Sequence, residues 1–186
     1  MKSILLASQS PRRKQLLEWA EVPFTVIVRE TDESYPPGLN PEEIAIHIAR
    51  KKALAVQKEV NENEIILAAD TIVVLNENIL GKPVHREDAV SMLIALSGSN
   101  HKVITGVVIL NGNNENTFAD TTDVEFHELS IEQIEYYVDK YKPYDKAGAY
   151  AIQEWIGVVG IKSVTGDFYN VMGLPVSRVI RALEKL

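Results

Sequence analysis

"IILAADTIVVL", Ile65–Leu75, runs for eleven residues with a single charge, Asp70. An apolar run of this length, rich in β-branched residues and bounded by polar segments, predicts a strand. "NENIL" after it predicts a tight hairpin return, and "GKP" closes that return ahead of a helix from about Arg86 to Leu96. On the N-terminal side, Ser3 to Ala7 and Phe24 to Val28 predict strands. Between them Pro11 to Ala20 predicts a helix with Ser10 as N-cap and proline in its first position. Asn40, Pro41 and Glu43 supply cap, first-position proline and capping-box acid for a helix to about Val60. On the C-terminal side, His101 to Leu110 and Thr117 to Phe126, joined by "NGNNEN", predict a long hairpin. Ser130 with Gln133 caps a helix to about Tyr141, "KPYDKAGAY" is a loop, and Val158 to Val164 predicts a strand. Pro175 to Leu186 predicts a final helix with a poor cap in Leu174. Strands and helices interleave throughout, which predicts an α/β fold: a mixed sheet flanked by helices.

A chain of 186 residues can form one domain with a sizeable core or two closely packed lobes, and one compact unit is the expectation. With 46% hydrophobic and 24% charged residues it belongs with ordinary folded domains rather than disordered or fibrous chains. No apolar run approaches the roughly 20 residues of a membrane helix, and Ile4 to Ala7 is too short for a signal-peptide core. A cytoplasmic protein with no membrane partner is expected. The absence of cysteine excludes disulfides, zinc thiolates and thiol nucleophiles. Nineteen basic against 26 acidic residues, a net charge of −7, argue against a nucleic-acid binder but allow a small anion in a local basic pocket.

Several charges stand where folding alone would not place them. With Ile44 at zero on a helical wheel, Ala55, Ile48, Ala45, Val56 and Ala49 fall at roughly 20°, 40°, 100°, 120° and 140°. Lys52 falls near 80°, inside the apolar stripe. Either its stem lies on the core while the ammonium reaches water, or it reaches through the helix layer toward an anion. Lys51 faces away, toward solvent. Asp70 in its apolar strand needs a cation, a metal or several donors, as a structural ion pair or as a catalytic or metal-binding carboxylate. Thr71 faces the opposite side of that strand. Ser8, Ser10, Arg12 and Arg13 surround a predicted helix start, where unpaired amides and the helix dipole already favour an anion. Together they describe a phosphate pocket, although either arginine could pair with an acid elsewhere. Lys82 sits on a tight turn. Glu33 in "TDES", if it converges with Asp70, could hold Mg²⁺, which takes one or two carboxylates and completes its shell with water and phosphates. His47, His85, His101 and His127 show no metal-ligand spacing and read as surface or packing residues.

These residues fall in segments that resemble the Maf nucleotide pyrophosphatases, in family order over nearly the full chain. The segments are "LASQSPRRKQLL", the acid of "DES", "ARKKA", "LAADTIVV", "GKP", "SGSNHKVITGV", "YDKAGAYAIQ" and "NVMGLP". The resemblance implies a single Maf-like domain over 1–186. It also implies an elongated mixed sheet like that of the inosine triphosphate pyrophosphatases, with two lobes around a cleft. It further implies a divalent cation, Mg²⁺ or Mn²⁺, hydrolysis of a nucleoside triphosphate to monophosphate and pyrophosphate, and often a homodimer. Carried over by position, Asp70 is the catalytic acceptor of the water's proton, and Glu33 joins it at the metal. Ser8, Arg12, Arg13, Lys52 and Lys82 bind phosphate. Arg12, Thr71 and Gln153 match the branch acting on dTTP and UTP, with modified pyrimidine nucleotides as further candidates. A sister branch that prefers 7-methyl-GTP has glutamine after the aspartate. A glutamine amide offers both a donor and an acceptor to the N3–H and O4 edge of thymine or uracil. Asp167 departs from the family, standing where a small polar residue is common, and Lys146 is a further phosphate or cleft candidate. The mechanism expected is attack of water on the α-phosphorus as pyrophosphate leaves, the cations stabilising charge on the phosphate oxygens. The alternative is a nucleotide-binding regulator of cell division without turnover, and Asp70 is what a pure triphosphate binder would not need.

Overall fold

The computed structural model describes residues 3–61 and 63–186. Strand β1 (Ile4–Leu6) pairs in parallel with β2 (Phe24–Val26) and with β3 (Ile65–Leu75), Ile4 standing opposite both Phe24 and Ile65. β3 returns through Asn76 and Glu77, at φ 47° and 67°, into antiparallel β4 (Asn78–Leu80). Two successive positive φ values belong to a turn whose twist matches that of the strands it joins. β5 (Asn100–Asn111) and β6 (Asn114–Phe126) leave only Gly112 and Asn113 between them, so most of "NGNNEN" is strand rather than loop. With β7 (Ile161–Thr165) the sheet has the order β2-β1-β3-β5-β6-β7, β4 lying off this path on β3. Seven helices accompany it among the described residues: α1 (Pro11–Trp19), α2 (Pro41–Gln57), α3 (Arg86–Leu96), α4 (Ile131–Tyr141), α5 (Trp155–Gly160), α6 (Phe168–Met172) and α7 (Val176–Leu183).

The predicted α/β class with a mixed sheet and flanking helices is the one observed. The predicted caps form as well. Ser10 accepts from the Arg13 amide, and complete capping boxes open α2 at Asn40 and α4 at Ser130. One element differs. The predicted strand Val158 to Val164 is helix α5 followed by β7, because the ladder with β6 reaches back only to Ile161, opposite Phe126. Val158 and Val159, whose branching favours a strand, have no ladder partner there and lie exposed. Helix α6 was not anticipated. Asp167, the family departure, starts it by accepting from the Tyr169 and Asn170 amides at 2.7 and 3.3 Å.

By packing, the chain forms two compact units. The first is built from Met1–Thr71, Thr105–Asp120 and Gly173–Leu186. Its core sets Ala49, Ala53 and Val56 of α2 on Ile66 and Ala68 of β3 and on Val108 and Leu110 of β5. The small side chains let α2 lie low. A Cβ on Gly106 of β5 would stand 2.3 Å from the carbonyl carbon of Ala45, so only glycine permits this approach. On α7, Arg178 lies 4.4 Å over the Phe118 ring and donates to the Ala119 carbonyl at 2.7 Å.

The second unit is built from Ile72–Ile104 and Thr121–Met172. Arg86 of α3 grips Asp139 of α4 at 2.6 Å and reaches Glu135 at 3.4 Å. His101 is buried, its Nε2 2.7 Å from the Tyr150 hydroxyl and its ring stacked on Phe126. Desolvation pushes its pKa down to about 4. It packs in the core, which is the packing reading of its sequence context.

Candidate functional site

In the first unit, β1 ends just before Ser8, and the chain turns into α1 with Arg12 and Arg13 in its first turn. Arg13 is buried, and all three of its nitrogens are occupied by the protein. Nε donates to the Gly173 carbonyl at 2.7 Å, Nη1 to Ser8 Oγ at 3.0 Å and Nη2 to Thr71 Oγ1 at 3.0 Å. Thr71 Oγ1 is also 2.9 Å from Thr105 Oγ1. Burial lowers the Arg13 pKa to about 10, with Asp70 and Glu33 opposing that fall and Arg12 adding to it. The guanidinium stays charged at neutral pH, and it feels both carboxylates and the neighbouring arginine as parts of one field. Arg12 is half-buried beside it.

The two misfit charges of the sequence meet. Lys52 Nζ stands 2.5 Å from Asp70 Oδ1 and 2.9 Å from Glu33 Oε1. The Lys52 and Asp70 side chains are only 17% and 14% exposed, so each needs the other's charge; Glu33 is half exposed at 49%. The small-residue face of α2 brings its stem close enough to β3 for this. Asp70 and Thr71, as neighbours on one strand, point to opposite sides, one into the carboxylate–ammonium cluster and the other to Arg13.

Lys51, expected in solvent, instead holds the loop that carries Glu33. It pairs with Asp32 at 3.2 Å and donates to the Ser34 carbonyl at 3.2 Å. Asp32 Oδ1 accepts from the Ser34 amide at 2.9 Å, and its carboxyl is held down to about 2 by the Ser34 hydroxyl first, then by that amide and Lys51. The Asp-x-Ser turn could have been read from "DES"; its bond to Lys51 could not.

The second unit carries Lys82, Lys146 and Gln153. Lys82 is exposed, and the carbonyl of the preceding Gly81 accepts from the Gly148 amide at 3.1 Å, tying its turn to the segment that leads to Gln153. Gln153 is exposed on a turn between buried Ile152 and half-buried Glu154. Lys146 is buried and paired with Asp145 at 2.7 Å and with Glu154 at 3.5 Å.

No group of three or more His, Cys, Asp or Glu side chains gathers around a common point among the described residues. Two carboxylates do converge, on the Lys52 ammonium. Two oxygens facing one cation form the minimal protein donor set of Mg²⁺, which draws its remaining ligands from water and phosphate, so these residues fit such an ion.

A family model described as "Maf-like protein" matches residues 3–186. The chain belongs to the Maf family. Among curated Maf relatives, the dTTP/UTP pyrophosphatase of Bacteroides thetaiotaomicron is 50% identical over 184 residues, covering 98% of this chain and 95% of its own. The protein of the same description from Cytophaga hutchinsonii is 51% identical, covering 98% and 84%. That from Halalkalibacterium halodurans is 49% identical, covering 99% and 96%. The solved Ham1 protein of Staphylococcus aureus shares the fold at a TM-score of 0.51 and 19% identity, covering 99% of each chain. The Maf fold seen here is thus the mixed α/β architecture expected. No helix among the described residues is long and apolar enough to cross a membrane.

Proposed function

We infer that this Maf protein is a nucleoside triphosphate pyrophosphatase that hydrolyses dTTP and UTP to the monophosphate and pyrophosphate. The observation that carries the reading is the convergence of Asp70, the one charge in an apolar strand, and Glu33 on the Lys52 ammonium. The near-full-length identity to curated dTTP/UTP pyrophosphatases supports the same substrates.

Asp70 takes the proton of the water that attacks the α-phosphorus, since it is the carboxylate held rigidly by strand and ion pair alike. Lys52 is poised to transfer its ammonium from the carboxylates to a phosphate oxygen when substrate enters. Arg12 and Lys82 bind the triphosphate directly. Ser8 and Thr71 are further substrate-binding groups, their oxygens fixed by Arg13, which adds a buried positive charge to the phosphate field. Glu33 and Asp70 would hold a divalent cation, Mg²⁺ or Mn²⁺, which supplies charge neutralisation at the phosphate oxygens when bound. Gln153 reads the N3–H and O4 edge, with Arg12 and Thr71 contributing to the choice of pyrimidine. The reading includes 1–186 acting as one catalytic domain on cytoplasmic nucleotides, modified pyrimidines among them, as a house-cleaning activity, and as a homodimer.

Pyrophosphate release from a panel of nucleoside triphosphates, with Mg²⁺ or Mn²⁺, tests this with native protein and Asp70→Asn. Release from dTTP and UTP by the native protein alone is expected. Binding of dTTP without any turnover would favour the regulator, and equal cleavage of purines would remove the pyrimidine assignment.

A further inference from the structure

Gln153 is exposed on a turn, so the aim of its amide depends on how firmly the surrounding backbone is held. The turn is closed by the Glu154 amide on the Ala151 carbonyl at 3.1 Å. One fully buried phenol reaches it from α4. Tyr137 Oη accepts from the Ala151 amide at 3.2 Å and donates to Glu154 Oε2. These bonds fall on either side of Gln153. A phenol has one proton, and here the carboxylate takes it, which leaves a lone pair facing the Ala151 N–H and fixes the direction of both bonds. The other oxygen of Glu154 faces the buried Lys146 ammonium at 3.5 Å. A single carboxylate therefore joins the turn to α4 and to the phosphate candidate Lys146. Nothing in the proposed chemistry uses Tyr137 or Glu154, yet a side chain that is 0% exposed and a carboxylate that is 22% exposed are committed to this turn.

We propose that Tyr137 and Glu154 form a positioning pair that sets Gln153 for pyrimidine selection; this rests on the reading of Gln153 as the base-facing residue. Without the pair, the backbone that carries the Gln153 amide is no longer held, and uracil, which offers an acceptor and an N–H, is no longer distinguished well from cytosine, which offers a donor amine. A site built to hydrogen-bond its substrate discriminates strongly, so loosening it costs selectivity more than turnover.

The test is the ratio of kcat/KM for UTP over CTP in the full-length protein, with thermal stability followed alongside. Gln153→Ala is expected to collapse the ratio. Glu154→Ala and Tyr137→Phe are expected to lower it by about tenfold, while Glu154→Gln, whose amide oxygen still accepts the phenol's proton, restores it. A pair that served stability alone would shift the melting temperature and leave the ratio unchanged. Folded Glu154→Ala with the native ratio, beside a Gln153→Ala that has lost it, overturns the proposal. A native ratio in Gln153→Ala overturns the base-reading assignment and the proposal with it. If Tyr137→Phe does not fold, Glu154→Ala decides alone.

Discussion

Arg13 donates from Nε to the carbonyl oxygen of Gly173 at 2.7 Å, across a sequence separation of 160 residues. Gly173 presents that oxygen at φ +118°, a conformation open essentially to glycine. Lysine cannot make three directed bonds to Gly173, Ser8 and Thr71 at once. Arg13→Lys is expected to lower unfolding free energy by about 3 kcal/mol, measured by urea denaturation, because buried acceptors lose a charged donor. Gly173→Ala is expected to cost about 1–3 kcal/mol through backbone strain.

Lys52 and Asp70 should respond asymmetrically to removal. Asp70→Asn is expected to reduce kcat by about 10²–10⁴-fold in steady-state pyrophosphate release, the range of a lost general base, while the fold persists. Lys52→Met leaves Asp70 mostly buried without its nearest cation, and should destabilise the protein by about 3 kcal/mol at neutral pH. Adding Asp70→Asn to Lys52→Met should recover most of that loss, which a double-mutant cycle on denaturation midpoints reads directly.

His101 makes stability depend on acid. Its pKa is about 4 in the folded protein against an ordinary 6.5, because burial disfavours the imidazolium. Between those values the unfolded chain holds more protons than the folded one, so stability falls as pH drops from about 6.5 toward 4. The full loss is about 3 kcal/mol. His101→Gln should be less stable at pH 7, having lost the contact with Tyr150, yet show a flatter profile between pH 7 and 4 in denaturation measured at each pH.

Gly106→Ala should push α2 away from the sheet. A Cβ 2.3 Å from the Ala45 carbonyl carbon meets backbone, which cannot rotate aside. The expected cost is about 3 kcal/mol by chemical denaturation, at the upper end for overpacking. Turnover should fall with it, because α2 also carries Lys52.

Much of the fold was legible because the signals were local. The Asn40 and Ser130 caps and the Asn76–Glu77 return depend on neighbours three or four residues apart. Val158 and Val159 misled because intrinsic strand preference cannot report where a ladder partner runs out. Lys52 and Asp70 each announced themselves as a charge in an apolar pattern, but their pairing needed the packing of α2 on β3. The partners of Arg13 were out of reach for a similar reason. Two hydroxyls and a carbonyl leave no trace in a charge pattern, and the carbonyl belongs to a segment at the other end of the chain. Tyr137 carries no signal in the sequence, since a phenol aimed at a backbone amide has no periodicity of its own.

The contact between Arg13 and Gly173 also sets an order of assembly. Gly173–Leu186 belongs to the same compact unit as Met1–Thr71, although it is synthesised after the whole of the second unit. On a translating ribosome the Arg13 guanidinium therefore waits, without its carbonyl partner, until Gly173 has emerged. A chain stopped short of Gly173 holds Ser8, Lys52 and Asp70 but not the bond that anchors Arg13 among them.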